Sequence, residues 1–210
     1  MCSLLRSSWR ISPLVGVLHQ QVTGRVRITL YFYPVIEENY LQFFTASIVK
    51  WKPVLQREAY KQIVIESLRF LVLNKRVKVY AFVIMPNHIH LIWQIMPEHH
   101  LKNVQRDFLK FTGQQILKDL RTHHTFEYKG LEVNLKDRKH QVWQRNPLTV
   151  DLYNKEMIEQ KLDYIHHNPV QGKWSLVEDY CDYPFSSASF YEENDSQFDF
   201  LTHYMAYFGH

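Results

Sequence analysis

From residue 41 onward, short apolar runs alternate with longer stretches in which apolar residues return every three or four positions. LQFFTASIV (41–49) is dense in aromatic and β-branched residues and predicts a strand. Residues 57–73 place Tyr60, Ile63, Val64, Ser67, Leu68 and Leu71 at helical spacing. VKVYAFVI (77–84) reads as a buried strand, MPN (85–87) as a turn and HIHLIWQI (88–95) as a second strand, so the two make a hairpin. A long helix over 101–121 turns Leu101, Val104, Phe108, Phe111, Leu117 and Leu120 inward, and Gly113 weakens it locally. Residues 123–140 are polar and irregular, and VWQR (142–145) predicts a short strand. A last helix spans 154–168, with Asn154 as its N-cap and Glu156 in its first turn. Pro169 ends it, because a residue before proline is pushed out of the helical region. Before residue 40 only 26–35 reads as a strand, and Pro34 confines it to an edge or a terminus.

The order strand, helix, strand, strand, helix, short strand, helix predicts an α+β domain. Its strands are joined partly by a hairpin and partly by helices, which fits an antiparallel sheet of the ferredoxin-like or RRM-like kind with helices packed on it. Three parts are expected: an N-terminal extension over 1–36, one domain over 37–190, and an acidic, aromatic C-terminal tail over 191–210.

Composition narrows the function class. With 46% hydrophobic and 22% charged residues in a chain of 210, the protein is globular and not disordered. No apolar run reaches the ~18 residues of a membrane span, so no membrane partner is expected. Ser12 and Pro13 break the apolar start, making it a poor secretory leader. Cys2 and Cys181 are the only cysteines, which suits the reducing cytosol. Charge is uneven. Residues 176–200 hold seven acidic and no basic side chains, leaving 1–175 with twenty-five basic against fourteen acidic, a net of +11. That balance fits a polyanionic partner or a solvated surface with an acidic end, and charge alone leaves both open.

Two motifs carry candidate chemistry. On a strand, His88 and His90 point to one face while Ile89 enters the core on the other. Two adjacent imidazoles are a pair of ligands for a divalent ion, or two satisfied histidines. On the last helix, Tyr164 and Asn168 stand one turn apart on one face, beside the apolar stripe of Ile158, Leu162 and Ile165. His166 points largely away. Asn168 carries an amide oxygen suited to a hard cation, and Tyr164 a hydroxyl able to attack an electrophile held by it. The plainer reading of these two is a core tyrosine and a C-cap.

Taken together the motifs say more. PNHIHLI, followed about seventy residues later by DYIHHNPV, resembles the single-tyrosine HUH transposases, and within them the REP-associated tyrosine transposases and their insertion-sequence relatives. YAFVIMPNHIHLI (80–92), RDFLKFT (106–112), QKLDYIHHNPV (160–170) and DYPFSSA (182–188) carry the resemblance, which runs from about residue 40 to 190. It implies an HUH-type sheet domain over 37–190 that cuts and rejoins single-stranded DNA. It implies Mg²⁺ or Mn²⁺ held by His88, His90 and Asn168, with Tyr164 forming a 5′-phosphotyrosine link. A free phenol ionises near pH ~10, so deprotonation needs help. Gln160 and Lys161, one turn earlier, are either that help or a solvated helix face. The alternative function is a non-catalytic DNA-hairpin binder descended from such an enzyme.

The implied partner is single-stranded DNA folded into a hairpin. The family contains monomers and dimers, so a homodimer stays open. Lys102, Arg106 and Lys110 recur every four residues and form a basic stripe on their helix. Lys136, Arg138, Lys139, His140 and Arg145 form a second basic cluster. Within these, Lys102, Arg106, Lys110, Lys139 and Arg145 are the candidate DNA contacts. Trp143 and Tyr128 are candidates for base stacking, and Trp143 is alternatively a core residue. A DNA partner places the expected location in the cytoplasm, with the nucleoid.

Overall fold

A computed structural model describes residues 11–22, 25–36, 40–172, 174–195 and 197–209. The chain divides into two units, Met1–Asn39 and Tyr40–His210. In the first, β1 (Ile11–Val22) pairs antiparallel with β2 (Arg25–Ile36), Pro13 standing opposite Pro34. A two-stranded ribbon has only edge strands, which is why it tolerates proline. The strand expected at 26–35 is there, and its partner over 11–22 lies where no regular pattern was legible.

The second unit is built on a four-stranded antiparallel sheet in the order β4-β5-β3-β6. The strands are β3 (Leu41–Ser47), β4 (Val77–Ile84), β5 (His88–Ile95) and β6 (Leu148–Leu152). The helices are α1 (Glu58–Leu73), α2 (Leu101–His123), α3 (Thr125–Gly130), α4 (Lys155–His167) and α5 (Ala188–Glu192). Alternation along each strand sends side chains to two cores. Phe44, Phe82, Ile89, Leu91 and Trp93 pack with Leu68 of α1 and Phe108 of α2. Leu41, Phe43, Tyr80, Val83 and Ile92 pack on the other face with Ile158 and Ile165 of α4. The sheet thus separates α1 and α2 from α4.

Residues 183–187 and 198–202 cover the free edge of β4. Ile84 N–H donates to Phe185 O, Ser187 N–H to Phe82 O, and Thr202 N–H to Val79 O. Phe198 and Phe200 of the 191–210 segment are buried, with rings 4.9 and 5.9 Å from that of Phe82. An exposed strand edge invites pairing with other chains, and this return of the chain occupies it.

Four local expectations change. Residues 125–130, expected to be irregular, form the short helix α3. The strand at 142–145 is a single bridge, Ile48 to Trp143, and β6 instead supplies the fourth strand from half-exposed residues whose pattern is faint. Phe111 is half exposed, because the buried line of α2 runs Val104, Phe108, Thr112, Ile116, Leu120. Gly113 lies on that inner side, where an added Cβ would meet Trp143 Cδ1 at 3.4 Å. Asn168, though it precedes proline, keeps helical angles (φ −56°, ψ −40°), and α4 tightens into a 3₁₀ turn over Asn168–Val170. Proline starts such a turn without loss, since a helical first turn leaves its N–H unused. Among the described residues, no helix is long and apolar enough to cross a membrane.

Candidate active site

The β3–β5 pairing sets Thr45 opposite His90 and Ser47 opposite His88. The two imidazoles share the α4 face of the sheet, ring centroids 4.7 Å apart, while Ile89 is buried on the reverse face, as the strand period predicts. His90 is 5% exposed, stacks on Phe43 at 5.2 Å, and hydrogen-bonds through Nδ1 to Thr45 Oγ1 at 2.7 Å. Its other nitrogen, Nε2, is buried and has no hydrogen-bond partner. His88 Nδ1 lies 2.7 Å from Asn87 Oδ1, and its Nε2 lies 3.3 Å from Asn168 Oδ1.

Asn154 caps α4 as its position predicts, its side chain accepting from Met157 N–H at 2.8 Å. Buried Ile158 and Ile165 dock the helix on the sheet. This docking brings Tyr164 and Asn168, one turn apart, over the histidine pair. The Tyr164 ring lies 5.2 Å from that of His90 and 6.0 Å from that of Phe43, and the residue is 43% exposed. Lys161 Nζ sits 5.0 Å over Phe43 and 5.7 Å from the Tyr164 ring. His166 turns away, buried and hydrogen-bonded to Ser187 Oγ at 2.9 Å. So Tyr164, His88, His90 and Asn168 meet at one place, from a strand and a helix far apart in sequence.

Burial keeps both imidazoles neutral. Desolvation, with His88 and Lys161 adding repulsion, pushes His90 down to about 3. Burial also lowers His88, against the opposing hydrogen bond to Asn168. A neutral imidazole offers one donor and one lone pair. Where Nδ1–H of His88 donates to the Asn87 oxygen, its neutral Nε2 presents a lone pair on the side of the Asn168 oxygen. Thr45 likewise occupies Nδ1 of His90 and leaves Nε2 bare. Hydrogen bonds of this kind behind the ring fix the tautomer of metal-binding histidines. Among the described residues, no group of three or more His, Cys, Asp or Glu could hold a metal. The donors here are two imidazole nitrogens and one amide oxygen, a set that fits a divalent ion whose shell is completed by water or phosphate oxygens.

The candidate DNA contacts spread over another surface. Lys102, Arg106, Lys110, Lys139 and Arg145 are all exposed. Arg106 and Lys110 share with Arg138 and Arg145 a groove of about 670 Å³ between α2 and residues 137–147, while Lys102 and Lys139 do not line it. Asp137, also lining it, pairs with Arg138 and with Arg145 at 3.2 Å, and Arg106 pairs with Asp107 at 2.9 Å. α2 packs on the sheet face opposite the histidines. Trp143 is a core residue, its Nε1–H donating to Thr112 Oγ1 at 2.9 Å, and Tyr128 stacks on His140 at 3.9 Å.

Thr45, Asn87 and Phe43 complete the site without having been singled out for it, and Lys161, one of the two residues weighed as help for the tyrosine, stands beside its ring. The signal for Asn87 was its place beside His88. Thr45 and Phe43 depend on the β3–β5 register, which no local pattern encodes.

No protein-family model matches the chain, and no curated protein matches it. Solved structures do. A REP-associated tyrosine transposase bound to a REP hairpin is similar with a TM-score of 0.54 at 20% identity, over 79% of this chain and 84% of that one. A candidate transposase from Deinococcus radiodurans R1 is similar with a TM-score of 0.43 at 13% identity, over 70% of this chain and 95% of that one. The chain therefore has the α+β fold its sequence predicts, an antiparallel sheet with packed helices, shared with a REP-associated tyrosine transposase.

Proposed function

We propose that this chain cuts and rejoins single-stranded DNA beside hairpins, with Tyr164 as the nucleophile. The observation that carries the reading is the meeting of Tyr164 with His88, His90 and Asn168, with the Nε2 of His90 buried and unpartnered. The fold shared with a transposase bound to a REP hairpin supports hairpin DNA as partner.

His88 Nε2, His90 Nε2 and Asn168 Oδ1 would hold Mg²⁺ or Mn²⁺. Such an ion, when bound, draws charge from the scissile phosphate. Tyr164 Oη attacks phosphorus and the bond to the 3′ oxygen breaks. The phenolic proton leaves to solvent and the departing oxygen takes one up. The product is a 5′-phosphotyrosine and a free 3′-hydroxyl. One ester replaces another, so an incoming 3′-hydroxyl reverses the step without ATP. Lys161, beside the Tyr164 ring, offsets phosphate charge as the nucleophile approaches. Docked α4 keeps the Tyr164 ring beside His90, and such positioning supplies much of the rate in phosphoryl transfer.

The test is a hairpin oligonucleotide with unpaired flanks, labelled at its 3′ end and incubated with protein and Mn²⁺. Wild type should yield a protein–DNA adduct stable to denaturant, and Tyr164→Phe should yield none while still binding. Adduct formation by Tyr164→Phe would overturn the assignment. Cleavage without any adduct would point to water as nucleophile.

A further inference from the structure

Trp51 is 58% exposed and stands edge-on to His88, ring centroids 6.4 Å apart at 68°. It sits beside the candidate site, and more than half of its surface is open to solvent. Its backbone is as unusual as its exposure. Lys50 and Trp51 take φ of 55° and 54°, two consecutive non-glycine residues in the left-handed region. There the Cβ crowds the following carbonyl, a cost of about 1–2 kcal/mol per residue.

The surroundings impose this conformation. Ile48 N–H donates to Asn87 O at 2.8 Å, just before His88, and Val49 N–H to Val142 O at 2.7 Å. Trp51 N–H returns to Ile48 O at 3.0 Å, and Lys50 Nζ reaches Glu132 O at 2.7 Å. The turn is thereby tied to the histidine strand on one side and to the 132–142 segment on the other. Glycine would adopt the same turn without strain. The side chains present instead are an indole between two exposed lysines, Lys50 and Lys52. Residues held in strained backbone cluster at active sites and ligand clamps.

We infer that Trp51 is a stacking platform for an unpaired base of the single strand that enters the His88–Tyr164 site, with Lys52 beside it along the phosphates. The inference rests on the DNA-processing reading above. A flat indole accepts any base, since every base has a π face, so it would hold the strand in register and not read its sequence.

The probe is a hairpin with eight unpaired dT residues on each side, one at a time replaced by 2-aminopurine, whose fluorescence is quenched by stacking. Wild-type protein should quench the probe at one or two adjacent flank positions. Trp51→Ala should remove that quenching and weaken binding by about 5- to 150-fold, the usual loss for one stacked base. Trp51→Phe should retain part of both. Trp51→Gly should melt at the same temperature as wild type or higher, yet bind as weakly as Trp51→Ala. An abasic residue at the quenched position should make wild type and Trp51→Ala bind alike. Equal quenching and affinity in Trp51→Ala would overturn the inference, and so would a clearly lowered melting temperature of Trp51→Gly with unchanged binding. Neither readout needs cleavage, so loss of quenching without loss of adduct formation removes only the platform. Quenching without any adduct removes only the Tyr164 chemistry.

Discussion

Thr45 and His90 stand directly opposite each other on β3 and β5, and the hydroxyl of one meets Nδ1 of the other at 2.7 Å. This bond holds the imidazole through Nδ1 and leaves the buried Nε2 without a partner. Thr45→Val keeps the shape and removes the bond. It should weaken Mn²⁺ binding by about 10–100-fold, the usual effect of losing the partner behind a ligating histidine. Stability should fall by about 1–3 kcal/mol, because Nδ1 is left buried and unpaired. Titration calorimetry with Mn²⁺ and urea unfolding check the two effects.

His88→Ala and His90→Ala should each abolish DNA cleavage and spare most hairpin affinity, since phosphate contacts spread over many basic side chains. Asn168→Ala should reduce cleavage less, as it removes one neutral oxygen. Paired measurements of cleavage rate and gel-shift affinity in Mg²⁺ decide this. Full cleavage by either histidine variant would remove that residue from the ligand set.

Acid should destabilise the fold through its buried histidines. Burial lowers His166 to about 4, with a further push from His167. A histidine whose folded pKa is depressed stabilises the fold fully above its unfolded value near 6.5 and loses that contribution as pH falls toward the folded value. Between pH ~6.5 and ~4 the slope from one such group approaches about 1.4 kcal/mol per pH unit. His90 and His88, also lowered, act in the same direction. Urea midpoints at pH 7, 5.5 and 4.5 should fall steadily, and less steeply in His166→Gln.

The groove lined by Arg106, Lys110 and Arg145 is partly neutralised by Asp137 within it and by Asp107, which pairs with Arg106 from outside its lining. If single-stranded backbone tracks it, changing Arg106 and Lys110 together to Gln should flatten the log–log dependence of affinity on salt by roughly 1.4 units, about 0.7 for each phosphate. Asp137→Asn should raise affinity. An unchanged slope would put the DNA on another surface.

Much of this was written in local pattern. The apolar run of β4, the His-x-His alternation of β5 and the turn between them are visible in sequence, as are the N-cap of α4 and the i, i+4 relation of Tyr164 to Asn168. Pairing register was not, and with it went Thr45, Phe43 and the contact of Asn168 with His88, all of which join residues from separate elements. β6 is an edge strand of half-exposed residues, too weakly alternating to show. Trp143 looked available for stacking, because nothing in a polar segment announces that Gly113 opens a place for an indole in the core. The left-handed pair Lys50–Trp51 has no cue at all, since neither residue favours that backbone.

The central claim is that Tyr164, among thirteen tyrosines, becomes joined to DNA. Tyr183 is buried with its hydroxyl donating to Ile84 O, whereas Tyr153 is exposed and lies just before the same helix. The direct measurement is mass spectrometry of the nucleotide-bearing peptide after cleavage of a flanked hairpin and digestion of protein and DNA. The account predicts one modified peptide, carrying a 5′-linked nucleotide on Tyr164. A nucleotide on Tyr153, Tyr180 or Tyr183 in its place would contradict it.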